Sequence, residues 1–379
     1  MLDRARYIEQ IHQQFEVHSI CGILGPRQAG KTTLAQQYAK NQTEPVHFFD
    51  LENPSDWESL QQPMLALERL EGLVIIDEVQ YLPSLFPVLR VLCDKRQARY
   101  LVLGSASPLL IKNSSESLAG RIGYIEMMPF HIGEVMASDQ LLVRGGFPRS
   151  YLASSDKASI TWRRAFIQNF LERDIPALGI SIPSTQLRRF WMMLCHVHGQ
   201  QLNVHQLGTA MGVSGHTIRK YLDILQGTFM IRQLQPWHEN ISKRQVKMPK
   251  LYFRDTGLLL ALLGVGHYEA LIRHPQIGAI WEGFAIEQLL MGLAIQQEEA
   301  FYWRTAQGAE LDLLIVIDGR RIGVELKFSD APTITQSMRI SLLDLKLHHL
   351  YVVYPGARQY ALSSLITVVP LSMVLDVIM

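Results

Sequence analysis

Cysteine is scarce: three residues (Cys21, Cys93 and Cys195) in a chain of 379, far apart and each in apolar surroundings. They can build neither a disulfide framework nor a clustered zinc site, and a reducing compartment is expected. Long hydrophobic runs are missing too. No apolar stretch approaches the ~20 residues that span a bilayer, and Met1-Leu2-Asp3-Arg4 leads into a mixed polar helix unlike a signal peptide. A soluble, cytoplasmic protein without a membrane partner is the expectation. Nor does either sign of charge prevail. With 36 basic and 35 acidic residues there is no global pull toward nucleic acid, so any such surface must be local. Apolar residues are plentiful at 48 %, as in a globular protein. The length allows roughly two to four domains with sizeable cores.

The most informative stretch is Gly25-Pro26-Arg27-Gln28-Ala29-Gly30-Lys31-Thr32-Thr33, which fills every fixed position of the pattern G-x-x-x-x-G-K-[ST]. Ile20-Cys21-Gly22-Ile23-Leu24 before it reads as a buried strand, and Leu34, Ala35, Tyr38 and Ala39 after it recur at helical spacing. A strand, a glycine loop and a helix start make an anion cradle, because backbone N–H groups and the helix dipole both face the phosphates. Lys31 is expected on the β- and γ-phosphates of ATP and the Thr32 hydroxyl on Mg²⁺.

Downstream, Leu73-Val74-Ile75-Ile76-Asp77-Glu78-Val79-Gln80 is an apolar strand ending in two carboxylates. Such a strand, buried on both faces, delivers Asp77 to the edge where doubly wound sheets bind ligands. Asp77 is expected to hold Mg²⁺ through water, and Glu78 to polarise the attacking water. Tyr100-Leu101-Val102-Leu103-Gly104 reads as the next strand with Ser105 at its tip, there to contact the γ-phosphate, orient water or cap the next helix. Arg121, before a strand at 122–128, and Arg173, at the end of an amphipathic helix over 159–174, are candidate arginines for phosphate, in the same chain or a neighbouring subunit.

Residues 186–234 change to a helical character. Short helices over 202–210 and 217–225 around Gly212-Val213-Ser214 predict a helix-turn-helix, with Ser214 as N-cap, a wing hairpin over 228–235, and His216, Arg219 and Lys220 facing outward. Lys243, Arg244, Lys247, Lys250 and Arg254 form a local basic stripe expected to contact DNA phosphates. Further on, Glu310-Leu311-Asp312 to Ile317-Asp318 and Arg321-Ile322-Gly323-Val324-Glu325-Leu326-Lys327 read as a hairpin. Its charges lie where a core strand is normally apolar. Glu325 and Lys327 share a face, and Asp312 on the paired strand can meet them. Two carboxylates can hold a divalent metal, and a nearby lysine can orient water against a phosphodiester.

The order of Asp312, Glu325 and Lys327 resembles the signature of PD-(D/E)xK nucleases, although Ala309-Glu310 stands where the proline of the name is found. In that comparison Glu282, on the preceding helix, sits where many such enzymes place an extra carboxylate. Taken with Leu118-Ala119-Gly120-Arg121, Gly145-Gly146-Phe147-Pro148, Glu172-Arg173-Asp174-Ile175 and Lys250-Leu251-Tyr252-Phe253-Arg254-Asp255, the chain resembles prokaryotic AAA-type ATPases of the archaeal-ATPase-like kind. Those carry a C-terminal nuclease-related domain.

The resemblance implies an α/β protein with a P-loop ATPase core at 1–135, a helical lid at 136–185, a winged helix-turn-helix at 186–250 and a restriction-endonuclease-like domain at 251–379. It also implies a homo-oligomeric ring with Arg121 or Arg173 acting in trans. The function expected is an ATPase using Mg²⁺ and coupled to a nuclease module acting on DNA, with a second divalent metal held by Asp312 and Glu325. The alternative is an ATP-driven switch whose nuclease-like domain only binds. A small-molecule kinase is disfavoured, since it needs neither extra module.

Overall fold

A computed structural model of the chain describes residues 2, 4–95, 97–107, 118–135 and 138–378. The chain divides into two units. One comprises residues 1–129, 169–184 and 223–230, and the other comprises 130–168, 185–222 and 231–379.

In the first unit five strands form a parallel sheet: β1 (Ile20–Leu24), β2 (Val46–Asp50), β3 (Gly72–Asp77), β4 (Ala98–Gly104) and β5 (Ile122–Glu126). Their order is β2-β3-β4-β1-β5. A parallel sheet covered by helices must be apolar on both faces, and every residue of β1 is buried. Ile76, Val102, Phe86 and Leu89 fill the core on one face. Ile23, Leu34, Ile75 and Leu103 fill it on the other. β2, at the edge, is half exposed. Because all five strands run the same way, Leu24, Asp77 and Gly104 end at one edge. Ligands of open α/β sheets bind at that edge.

The second unit is built on a mixed sheet of β6 (Ile231–Pro236), β7 (Lys250–Phe253), β8 (Ala300–Arg304), β9 (Glu310–Ile317), β10 (Arg320–Leu326), β11 (His349–Tyr354), β12 (Tyr360–Ser363) and β13 (Ile366–Pro370). The order is β12-β13-β11-β10-β9-β8-β6-β7. β9 and β10 are an antiparallel hairpin. Their turn places Asp318 at φ 50° and Gly319 at φ 76°, and an Asp-Gly pair is the sequence suited to that left-handed geometry. β11 then returns parallel to β10. The helix Ile277–Gly292 is buried on nearly every side.

Helices Val204–Met211 and Gly215–Gly227 flank Gly212, whose φ of 70° suits a glycine helix end. Ser214 Oγ accepts the Thr217 N–H at 3.2 Å. The wing expected over 228–235 takes a different form. β6 alone fills that stretch, with Ile231 and Leu234 both buried, and its antiparallel partner β7 arrives only after the connection 237–249. A stretch that short holds one core strand and leaves no room for a hairpin. β6 also pairs with β8, so the would-be wing strand belongs to the C-terminal sheet. No helix among the described residues is long and apolar enough to cross a membrane.

Candidate functional site

The first site forms where β1 ends. A Cβ on Gly25 would lie 1.9 Å from the Met127 carbonyl oxygen, so only glycine fits this close approach. Gln28 at φ 63° and Gly30 at φ 101° curl the loop back toward its helix. Lys31 opens that helix, Lys31–Lys40, whose first N–H groups have no partner within the helix. The Lys31 ammonium is buried and bonds the carbonyls of Gly25 (2.9 Å) and Pro26 (3.0 Å). Burial lowers its pKa, against the pull of Glu78 and Asp77. Thr32 Oγ1 donates to Asp77 Oδ2 at 2.6 Å, so the hydroxyl and carboxylate suited to Mg²⁺ are already in contact. Burial raises the Asp77 pKa to about 6. A carboxylate kept from water in this way is fitted to a cation.

Glu78 sits beyond the end of β3 at φ 55°, a costly conformation for a non-glycine residue and frequent at functional sites. Its Oε2 accepts from Ser105 Oγ at 3.0 Å and from Gln80 Nε2. Gln80 also donates to Ser105 Oγ (2.8 Å) and accepts the Ser105 N–H (3.2 Å). Ser105 and Gln80 together hold the Glu78 carboxylate in place. Gln80 was not singled out as a site residue from the sequence, although it completes the Asp77-Glu78-Val79-Gln80 run. Arg27, within the phosphate loop, pairs with Glu52 and Asp174. Burial opposes its charge, but Asp174, Tyr81 and Glu52 outweigh that and hold its pKa above the usual value. Asp174 lies in the stretch Glu172-Arg173-Asp174-Ile175, but its pairing with Arg27, from far along the chain, is not visible in the sequence. Beside them lies a small, largely enclosed pocket lined by Arg27, Gln80, Ser105, Phe170, Asp174 and Met230.

The two candidate arginines fall differently. Arg121 pairs through Nε and a terminal nitrogen with both oxygens of Asp94, at 2.9 and 3.1 Å. It precedes Ile122, which pairs with Ile20 at the start of β1, so it lies at the sheet edge opposite the P-loop. A phosphate role within its own chain is thereby corrected: strand order, invisible in the sequence, puts Arg121 at the wrong end. Arg173 is exposed beside Asp174.

The second site sits on the β9–β10 hairpin. The ladder pairs Val324 with Leu313, which brings Glu325 opposite Asp312. Asp312 Oδ2 accepts the Leu326 N–H at 2.9 Å. Lys327 Nζ lies 2.9 Å from Glu325 Oε2 and 4.0 Å from Asp312 Oδ2. Glu325 is 2 % exposed, and its Oε1 has no partner. Burial and the neighbouring Asp312 hold its carboxyl well above the ordinary glutamate range. Orphaned carboxylate oxygens in so dry a place are expensive, and a divalent cation fits them.

Glu282 is otherwise committed. Its Oε1 accepts from Lys250 Nζ at 2.8 Å and from the Tyr252 hydroxyl. Among the described residues no three His, Cys, Asp or Glu side chains converge as a metal site. Asp312 and Glu325 thus stand as a pair, and Glu282, whose charge bears on both of them, is held by Lys250 and Tyr252. The basic stripe is corrected too. Lys250 is buried between Glu282 and Glu310, Arg254 is buried against Glu287, and Lys243 pairs with Asp344. Arg244 and Lys247 remain exposed. They line a cleft of about 690 Å³ with Gln201, His238, Gln245 and Met248.

Comparison with known proteins divides the chain into three consecutive stretches. The AAA domain profile matches residues 17–136, a domain of unknown function (DUF8612) matches 137–269, and a second (DUF4143) matches 277–374. An uncharacterized protein of Mycobacterium tuberculosis is 48 % identical over 357 residues, covering 93 % of this chain and 80 % of that one. The chain belongs to that protein's family. The chain, whose residues 17–136 match the AAA domain, also resembles an uncharacterized Haemophilus influenzae protein, 23 % identical over 299 residues, 70 % of this chain and 74 % of that one. Among solved structures, the Walker-type ATPase of Pyrococcus abyssi shares 15 % identity and covers 69 % of this chain and 96 % of that one, with a TM-score of 0.49. An AAA-type ATPase binds nucleotide, usually with Mg²⁺, and the P-loop residues here suit both.

Proposed function

We propose that this AAA-type ATPase couples ATP hydrolysis to metal-dependent phosphodiester cleavage of DNA at Asp312, Glu325 and Lys327. The observation that carries the reading is Glu325: a buried carboxylate with one oxygen on Lys327 and the other without a partner, opposite a second carboxylate. A divalent cation held by Asp312 and Glu325 would polarise the scissile phosphate and lower the pKa of bound water. The chain's own part is to keep water out of the pocket and to hold the Lys327 ammonium beside the reacting oxygens. The Lys327 backbone N–H, bonded to the Val353 carbonyl at 3.0 Å, fixes the lysine just past the end of β10. In the first unit, Lys31 would turn from the Gly25 and Pro26 carbonyls to the phosphates, and Thr32 and Asp77 would hold Mg²⁺. Glu78 activates water, aimed by Ser105 and Gln80. The Arg244 and Lys247 cleft supports contact with DNA phosphates. A cytoplasmic homo-oligomer, with Arg173 or Arg121 offered to a neighbouring subunit's nucleotide, completes the proposal.

The test is a cleavage assay on DNA and RNA substrates with Mg²⁺ or Mn²⁺, with and without ATP. Wild type should cut, Lys327→Ala should lose at least about 100-fold in rate, and both should hydrolyse ATP. A second reading, an ATP-driven switch whose C-terminal unit only binds, is favoured by the commitment of Glu282 to Lys250 and Tyr252. ATP turnover without cleavage under any of these conditions would decide for it.

A further inference from the structure

We propose that the Lys250 ammonium is a built-in cation of the carboxylate cluster, standing in for a second metal ion, so that the centre takes one divalent ion and not two. The inference rests on the reading of Asp312, Glu325 and Lys327 given above and goes on to assign residues outside that trio. Lys250 opens β7 and is 3 % exposed. Its Nζ lies 2.8 Å from Glu282 Oε1 and 2.6 Å from Glu310 Oε1, with the Tyr302 ring centroid at 5.6 Å. A buried ammonium is costly unless carboxylates surround it. Two carboxylates from separate elements, one on a helix and one on β9, meet it here as they would meet a metal.

The neighbours reinforce that arrangement. Tyr252, two residues on and on the same face of the strand, donates its hydroxyl to the same Glu282 oxygen. Arg304 takes the other oxygen of Glu310 at 2.8 Å. Glu282 and Glu310 therefore share a cation of the chain itself, Lys250. The other pair keeps a buried oxygen without a partner, Glu325 Oε1. That oxygen is where an ion is needed. The two pairs are linked along β9, where Glu310 and Asp312 are two residues apart and share a face. Lys250 is thus a positioning residue. It neutralises Glu310 and Glu282 beside Asp312 without being removable by a chelator.

The experiment is a count of Mn²⁺ bound by the full chain without nucleotide, read from the electron paramagnetic resonance signal of free Mn²⁺. Every protein carries Asp77→Asn, so that the P-loop holds no ion, and Asp312→Ala is measured in parallel to place the ion found with native Lys250. The chain with native Lys250 should bind one ion, lost with Asp312→Ala, and Lys250→Met should bind two. Lys250→Met/Glu282→Gln should return to one, because the carboxylate freed by the first change is removed by the second. Two ions with native Lys250, or one in a folded Lys250→Met, overturns the proposal and leaves the nuclease reading standing. No ion lost with Asp312→Ala overturns the nuclease reading as well. The count with native Lys250 decides even where Lys250→Met does not fold.

Discussion

Gly25 shows how tightly one residue can be specified. A methyl group there would meet backbone, the Met127 carbonyl at 1.9 Å, and backbone cannot swing aside as a side chain can. Met127 is itself tied to Leu24 by its N–H at 2.7 Å. Gly25→Ala should therefore push β5 and the P-loop apart. The expected cost is about 2–4 kcal/mol of stability, with ATP affinity reduced at least about tenfold. Calorimetric titration and thermal melts check both, and wild-type affinity in a folded Gly25→Ala protein would contradict the packing. Residues of this kind are the legible ones. Gly25, Lys31, Thr32, Asp77 and Glu78 stand out in the sequence because phosphate chemistry demands them within short runs. Asp312, Glu325 and Lys327 stand out because a two-residue turn brings their strands together. The roles of Asp174 and Lys250 are not legible in this way. Their partners Arg27, Glu282 and Glu310 come from distant segments, and a charge in a sequence reads as solvated until the fold surrounds it.

At the scale of elements, β7 depends on a histidine from outside the sheet. His198 Nδ1 accepts the Phe253 N–H at 3.1 Å, and the ring is buried against Tyr252 edge-on. Burial lowers its pKa from 6.5 to about 4. The unfolded chain takes up a proton near pH 6.5 while the folded protein refuses it until about pH 4. The stability conferred by the neutral ring is therefore whole above pH 6.5 and is lost as pH falls toward 4, by up to about 3 kcal/mol. Denaturant melts between pH 7.5 and 4.5 should show that loss in wild type and a shallower one in His198→Gln. Parallel slopes would remove His198 as the cause. The element-scale reading from sequence was good for hairpins and P-loop strands, whose patterns are local. It failed at the wing, because nothing within 228–235 announces that its partner strand lies beyond residue 249. It failed at Arg121 because a parallel sheet orders its strands by crossovers that composition does not record.

At the scale of the whole molecule, a near-neutral chain leaves nucleic-acid contact to local charge. With Lys243, Lys250 and Arg254 paired, the exposed Arg244 and Lys247 are the charges left for the proposed contact with DNA. Arg244→Ala/Lys247→Ala should weaken binding to duplex DNA and flatten the slope of log affinity against log salt by about 2. Fluorescence anisotropy over a salt series measures this, and an unchanged slope would move the contact elsewhere. The path of the backbone carries another consequence. The chain passes from one unit to the other after residues 129, 168, 184, 222 and 230. A fragment ending with the AAA match at residue 136 would lack Asp174, the partner of the P-loop Arg27. No single cut therefore releases an intact ATPase. A gene laid out this way resists splitting and tail-swapping, so its two units are bound to be inherited together, and a change in one is always tried in the company of the other.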